Sequence, residues 1–245
     1  MIGDLLDGQV ADAMLQELDI VVSSSLLQDA NPRAALPGKR LAKVTHHVDL
    51  RIPESQAHQE HFACAYFGFL TNAPFRDRLD DITFVSTTFP CESEWMRRMP
   101  EFNCHFALRH RHGFDGFKPI TKGFIAAQSG AVIIVDQADE EASLHLGADY
   151  PYRISSDDPD AVKDAITAIR SEFCGPRWQL AQQAMVGLNQ YYGPLACSRI
   201  CVICSGSRPH SEAVRLHTNV ISARIELGVV FGGHAPEQHG ADRRT

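Results

Sequence analysis

The run FKPITKGFIAAQSGAVIIV, residues 117–135, constrains the fold more than any other part of the chain. Pro119, with its fixed φ and missing N–H, suits the first position of a helix. Ile120, Phe124 and Ala127 then fall at helical spacing, and Gly130 supplies the left-handed residue that closes a helix. Residues 131–135 follow at once as an apolar run, the pattern of a strand covered on both faces. A helix feeding a buried strand is half of a βαβ unit, so this stretch predicts an α/β protein built on a parallel sheet. Two lysines, Lys118 and Lys122, stand at the helix start. That end of a helix carries partial positive charge and is usually decorated with Asp or Glu. Lysines there are unfavourable unless an anion such as phosphate sits between them and the free N–H groups. Two amines reaching out into solvent would satisfy the same pattern.

The rest of the chain alternates strands and helices between residues 7 and 192, with connections that fit parallel βαβ units. Residues 7–18 read as an amphipathic helix and 19–24 as a short buried strand ending in small polar residues. A second strand, 41–46, ends at Thr45-His46-His47-Val48-Asp49. Open α/β sheets hold ligands at the carboxyl ends of their strands, so His47 is a candidate contact for a sugar or phosphate. A loop histidine satisfied by backbone and water reads the same way. Residues 51–60 form a polar linker containing Pro53, and the domain boundary is placed there. The strand at 62–70 runs into Gly68, where backbone can approach a ligand closely.

Further strands are expected at 81–87 and 102–109, with a short helix at 92–99 between them. Arg109, at the second strand's end, has the fork geometry that suits phosphate, although basic runs such as 109–112 are commonly just solvated. Asp139, Glu140 and Glu141 suit the first turn of another helix. A turn and short edge strand follow at 147–154. Asp157 and Asp158 cap the next helix, with Pro159 in its first turn and a stripe of Ala161, Val162, Ala165, Ile166 and Ile169. Gly175-Pro176 stops it, and Trp178, Ala181, Met185, Leu188 and Tyr192 stripe the last helix.

Thr121-Lys122, Ala126 and Gly130 together resemble a segment of glycosyltransferases with the GT-B fold, particularly the group-1 (GT4-like) enzymes. The family pattern runs Ser/Asn, Lys, two variable residues, Glu, Ala/Tyr, then Ala, Gly and Pro-Val at alternate positions. The strand pair at 19–24 and 41–46 resembles the end of the family's N-terminal domain, and FACAYFGFL resembles the opening strand of its donor domain. Among the family positions that differ, the ribose-binding glutamate falls on Ile125, the strand proline on Val132, and an earlier glutamate on Phe117, with Asp115 as its nearest substitute.

The resemblance implies a Rossmann-like, doubly wound parallel sheet forming a donor-binding domain over 53–192. Residues 1–52 would be the end of a preceding domain and 193–245 an irregular tail. It implies that Lys118, Thr121, Lys122, Gly68, Asp115 and Glu140 hold a nucleotide diphosphate sugar, with Lys122, Arg109 and His47 acting in transfer. No metal and no cofactor are expected, the nucleotide sugar being a substrate. A retaining transfer to an unknown acceptor follows, in the manner of polysaccharide biosynthesis, with a partner chain supplying the acceptor half that the length leaves out. A non-catalytic nucleotide- or partner-binding module derived from the same fold is the alternative.

Composition narrows the remaining classes. Apolar residues make up 44% and charged residues 22%, ordinary for a globular protein, and the net charge of −7 argues against a nucleic-acid backbone as partner. No apolar run reaches the length of a bilayer span, and the acidic start MIGDLLDGQV lacks the features of a signal peptide. Seven scattered cysteines fit reduced thiols, so a cytoplasmic location is expected. Cys197, Cys201 and Cys204 have the spacing of radical enzymes that hold an iron–sulfur cluster, or of a zinc site completed by His210. Those radical enzymes carry the motif early in the chain, before a barrel, whereas here it lies near the end.

Overall fold

A computed structural model describes residues 2–5, 17–29, 38–44, 48, 51–52, 54–88, 94–110, 118–155 and 157–193. Within them the chain forms two sheets, both wholly parallel. The first contains β1 (Ile2–Leu5), β2 (Ile20–Ser23) and β3 (Arg40–Lys43) in that order. The second contains β4 (Cys64–Gly68), β5 (Ile82–Ser86), β6 (Cys104–Phe106), β7 (Val132–Asp136) and β8 (Arg153–Ile154), ordered β5-β4-β6-β7-β8. The helices are α1 (Glu94–Arg98), α2 (Thr121–Gln128), α3 (Glu140–Leu146), α4 (Pro159–Ser171) and α5 (Pro176–Tyr192). This is a Rossmann-like α/β architecture.

The strand order positions everything that follows. After β4 the chain lays β5 on one side, then crosses back to place β6 on the other. Connections leave the two strands in opposite directions, which opens a crevice outside the carboxyl ends of β4 and β6. The centre of the sheet is apolar on both faces, with Val132 to Val135 of β7 at most 2% exposed. Cys64 and Cys104 face each other across β4 and β6 as buried free thiols.

Helix α2 begins two residues later than Pro119, because the Thr121 N–H donates to the Pro119 carbonyl at 2.8 Å in a tight turn ahead of the first helical bond. Its far end closes as the sequence predicts. Gly130 has φ +67°, its N–H donates to the Ala127 carbonyl, and the Ala131 N–H reaches the Ala126 carbonyl at 2.9 Å. The Ser55 N–H donates to the Gln128 carbonyl at 3.2 Å. The described residues of the expected linker contain no helix or strand but are tied down, with Ile52 and Ala57 buried.

In α4 the cap is Asp158 alone, accepting from the N–H groups of Asp160 and Ala161, while Asp157 instead accepts from the Ser155 hydroxyl at 2.8 Å. The stripe is also narrower than expected: Val162, Ile166 and Ile169 are buried, whereas Ala161 lies exposed at the first turn. Trp178 of α5 has no exposed surface and meets the rings of Phe62, Tyr152 and Phe173 at 6.0, 6.0 and 4.9 Å.

Most of the helix expected at 7–18, the His46-His47 turn, the loop holding Asp115, and the tail with Cys197, Cys201, Cys204 and His210 lie outside the described residues. Among the described residues no helix is long and apolar enough to cross a membrane. Nor does any group of three or more His, Cys, Asp or Glu there stand where it could hold a metal ion.

Candidate anion site

The crevice at the β4–β6 reversal gathers side chains from three elements. Tyr66 on β4 is 1% exposed, and its hydroxyl donates to the Phe69 carbonyl at 3.1 Å. That folds the ring over Gly68, where a Cβ would come within 2.9 Å of the Tyr66 oxygen. A side chain at 68 would therefore displace the Tyr66 ring, whatever else approaches it. Lys122 is the second residue of α2, and helix side chains lean toward the N-terminal end. Its Nζ lies 3.6 Å from the centre of the Tyr66 ring, a cation–π distance.

As a whole residue Lys122 is only partly buried, but its Nζ is sealed from solvent and has no hydrogen-bond partner among the described residues. The head, where the charge resides, governs its ionisation. Burial, reinforced by the Arg109 guanidinium, holds this amine down to about 7. Arg109 follows β6 and also bears on Tyr66, whose phenol burial pushes upward and the guanidinium pulls down. His105 of β6 is buried against Phe67, with ring centres 4.9 Å apart and Nε2 unpartnered. Burial and the Lys122 charge hold its imidazole down to about 3, so it is neutral at physiological pH.

Two basic heads thus converge where a parallel sheet opens, and one of them has no acceptor of its own. An anion with several oxygens entering there would supply it. Next along the chain from Arg109 lies an open groove of about 450 Å³, walled by Leu70, Thr71, Phe75 and Arg76 after β4 and by His110 after β6. The His110 N–H donates to the Asn72 carbonyl at 3.1 Å and joins the two walls. Phe75 holds φ +57°, a left-handed conformation uncommon for an aromatic residue.

Of the residues singled out in the sequence, Lys122 and Arg109 are brought together. Lys118 and Thr121 sit at the same helix start, both partly buried, with the Thr121 hydroxyl 3.5 Å from the Pro119 carbonyl. Arg76, exposed at the groove wall, pairs with Asp77 at 3.6 Å. Glu140 is one strand further along the same sheet edge, exposed in the first turn of α3. His47 and Asp115 lie outside the described residues.

Sequence reasoning did not single out Tyr66 or His105, hidden in strand patterns, and it chose Glu140 rather than Glu141 as a ligand contact. Glu141 is the buried one of the pair. Its two oxygens accept from the N–H groups of Leu26 and Leu27 at 2.8 and 2.9 Å, and from His145 Nε2 at 2.9 Å. It ties α3 to the turn after β2. The i,i+4 spacing of Glu141 and His145 was the available signal.

No protein-family model matches the chain, and no curated protein sequence matches it either. Solved structures do. Sucrose-phosphate synthase from Thermosynechococcus elongatus is 11% identical with a TM-score of 0.55, over 86% of this chain and 60% of that one. A TarM variant from S. aureus, in complex with fondaparinux, alpha-GlcNAc-glycerol and UDP, is 9% identical with a TM-score of 0.51, over 81% of this chain and 49% of that one. At such identities the likeness is one of fold, and the fold is the one shared by GT-B glycosyltransferases. The chain spans less than two thirds of the length of either structure.

Proposed function

We propose that the protein is a glycosyltransferase of the GT-B class, moving a sugar from a nucleotide diphosphate sugar to an acceptor. The observation that supports this best is the inward-facing head of Lys122, beside Arg109, at the strand-order reversal of the second sheet. Transfer breaks the bond between the anomeric carbon and the diphosphate, and negative charge collects on the departing oxygen. Positive groups already in place at that oxygen lower the barrier, because no solvent has to reorganise. Lys122 with Arg109 fills that role in this reading, with Lys118, the Thr121 hydroxyl and the positive end of α2 beside them. The neighbouring groove takes the nucleoside, between Phe75 and His110. Ile125 stands where the family's ribose-binding glutamate would be, so the ribose contact comes from another residue; Asp115 and Glu140 are the candidates, with His47 a candidate for a further sugar or phosphate contact.

In this reading residues 53–192 are the donor domain, residues 1–52 the end of an acceptor domain, and residues 193–245 a tail. The remainder of the acceptor domain comes from additional chain or from a partner, and the group-1 assignment carries with it retention at the anomeric carbon. The rival reading is a binding module that holds the nucleotide without catalysis.

Calorimetry with UDP and GDP is the first test. Lys122→Ala should weaken binding by about 1–3 kcal/mol if a charged hydrogen bond is lost. Unchanged affinity would remove Lys122 from the site, and failure of the parent protein to bind either nucleotide would end the glycosyltransferase reading. Sugar transfer, assayed with a chain that completes the acceptor side, separates the enzyme from the binding module.

A further inference from the structure

Among the described residues the head of Lys122 has no hydrogen-bond acceptor and no carboxylate partner, and it has no solvent contact. The groups that act on it are the Tyr66 ring from β4, beneath it at 3.6 Å, and the Arg109 guanidinium after β6, while the His105 imidazole of β6 senses its charge. Its own helix has no acidic residue in the first turn. A neutral amine tolerates such a place far better than an ammonium, because only the charged form gives up a full hydration shell. The face of Tyr66 favours the charged form, but by less than the hydration that is lost. Arg109 opposes a second positive charge nearby, and His105 is neutral and contributes no negative one.

We propose that this site is charged by its own ligand: Lys122 takes up a proton as a diphosphate arrives, so anion capture and protonation of the amine are one event. The inference rests on the diphosphate-binding reading above. A diphosphate oxygen provides the acceptor that Nζ lacks and brings opposite charge to it, and both raise the amine's affinity for a proton. The balance is simple: the amine gains one proton from solvent and becomes an ammonium, with no covalent bond made or broken. The lysine stem is flexible and partly exposed, which lets the head leave the ring for the helix start. An amine held at about 7 is poised for such a change near neutral pH. Above neutral pH the resting site then carries one basic group fewer in charged form than the loaded site, which limits its pull on passing anions that make no direct contact with Nζ.

The test uses the full chain and inorganic pyrophosphate, which requires no particular base. Calorimetry in two buffers of different ionisation enthalpy gives the protons taken up per ligand. Compared with Lys122→Arg, whose guanidinium stays charged, the parent protein should take up close to one extra proton at about pH 8 and close to none at about pH 6. Binding with equal proton uptake in the two proteins at both pH values overturns the proposal and leaves diphosphate binding intact. No binding of pyrophosphate by the parent protein overturns the diphosphate reading instead. A second measurement needs no ligand: the lysine Cε signals are followed by NMR against pH, with Lys122 assigned by its loss in Lys122→Arg. A midpoint close to neutrality supports the proposal, and one near the ordinary lysine value of about 10.4 overturns it.

Discussion

Replacing Lys122 by methionine is expected to make the protein more stable while removing its hold on an anion. Methionine is close to the lysine stem in size, carries no charge, and keeps a favourable contact with the Tyr66 ring. The amine titrates at about 7 in the folded protein against 10.5 for an ordinary lysine. At neutral pH the unfolded chain therefore binds almost a full proton at this residue and the folded chain about half of one. Linkage over that interval opposes folding by about 4 kcal/mol. Loss of the cation–π contact offsets roughly 0.5–2 kcal/mol of the gain, leaving a net stabilisation of about 2–4 kcal/mol for Lys122→Met. The sign follows from proton counting. Because the folded value is depressed, the unfolded chain binds more protons between about 7 and 10.5, and the parent protein gains stability as pH rises through that window. Methionine does not titrate, so its advantage should be largest near neutrality and fade toward the upper end of the window. Urea denaturation followed by circular dichroism at a series of pH values measures the gap. A variant less stable than the parent at neutral pH, or a gap that ignores pH, would refute the claim that this head is buried without a counter-charge.

Two further substitutions probe how the site is held. Glu141→Gln places an amide N–H against one of the two backbone donors at Leu26 and Leu27, and should cost about 2–4 kcal/mol with faster amide exchange at both residues. Unaltered exchange at Leu26 and Leu27 would show that the carboxylate is not what ties α3 to the turn after β2. Gly130→Ala forces a side chain into a left-handed residue, with its Cβ 2.8 Å from the Ser55 carbonyl oxygen. A loss of about 2–3 kcal/mol is expected in thermal or urea unfolding, and a loss within ~0.5 kcal/mol would mean the backbone relaxes freely there.

Much of the architecture was legible because its signals are local. Pro119, Gly130 and the apolar run after it announced a helix, a Schellman-type stop and a doubly covered strand, since each depends on residues within one or two turns of each other. The resemblance carried by Thr121, Lys122 and Gly130 supplied the fold class on the same stretch. Boundaries moved where two local options competed. Pro119 made a tight turn with Thr121 rather than opening the helix, and Asp158 took the cap while Asp157 turned back to Ser155.

The site was legible only in part, and the reason is distance along the chain. Charge at a helix start marked Lys122, and position at a strand end marked Arg109, but nothing near either residue indicated which way the amine would turn. That was settled by the strand order, which sets Tyr66 and His105 on neighbouring strands about forty residues apart in sequence and swings α2 across their ends. The same holds for Glu140 and Glu141: alike in charge and adjacent in the first turn of α3, they were parted by which carboxylate met the backbone donors of Leu26 and Leu27. Periodicity and turn chemistry act over a few residues and can be read along the chain. Burial, and with it the ionisation of a buried amine, belongs to the neighbours that folding brings from elsewhere.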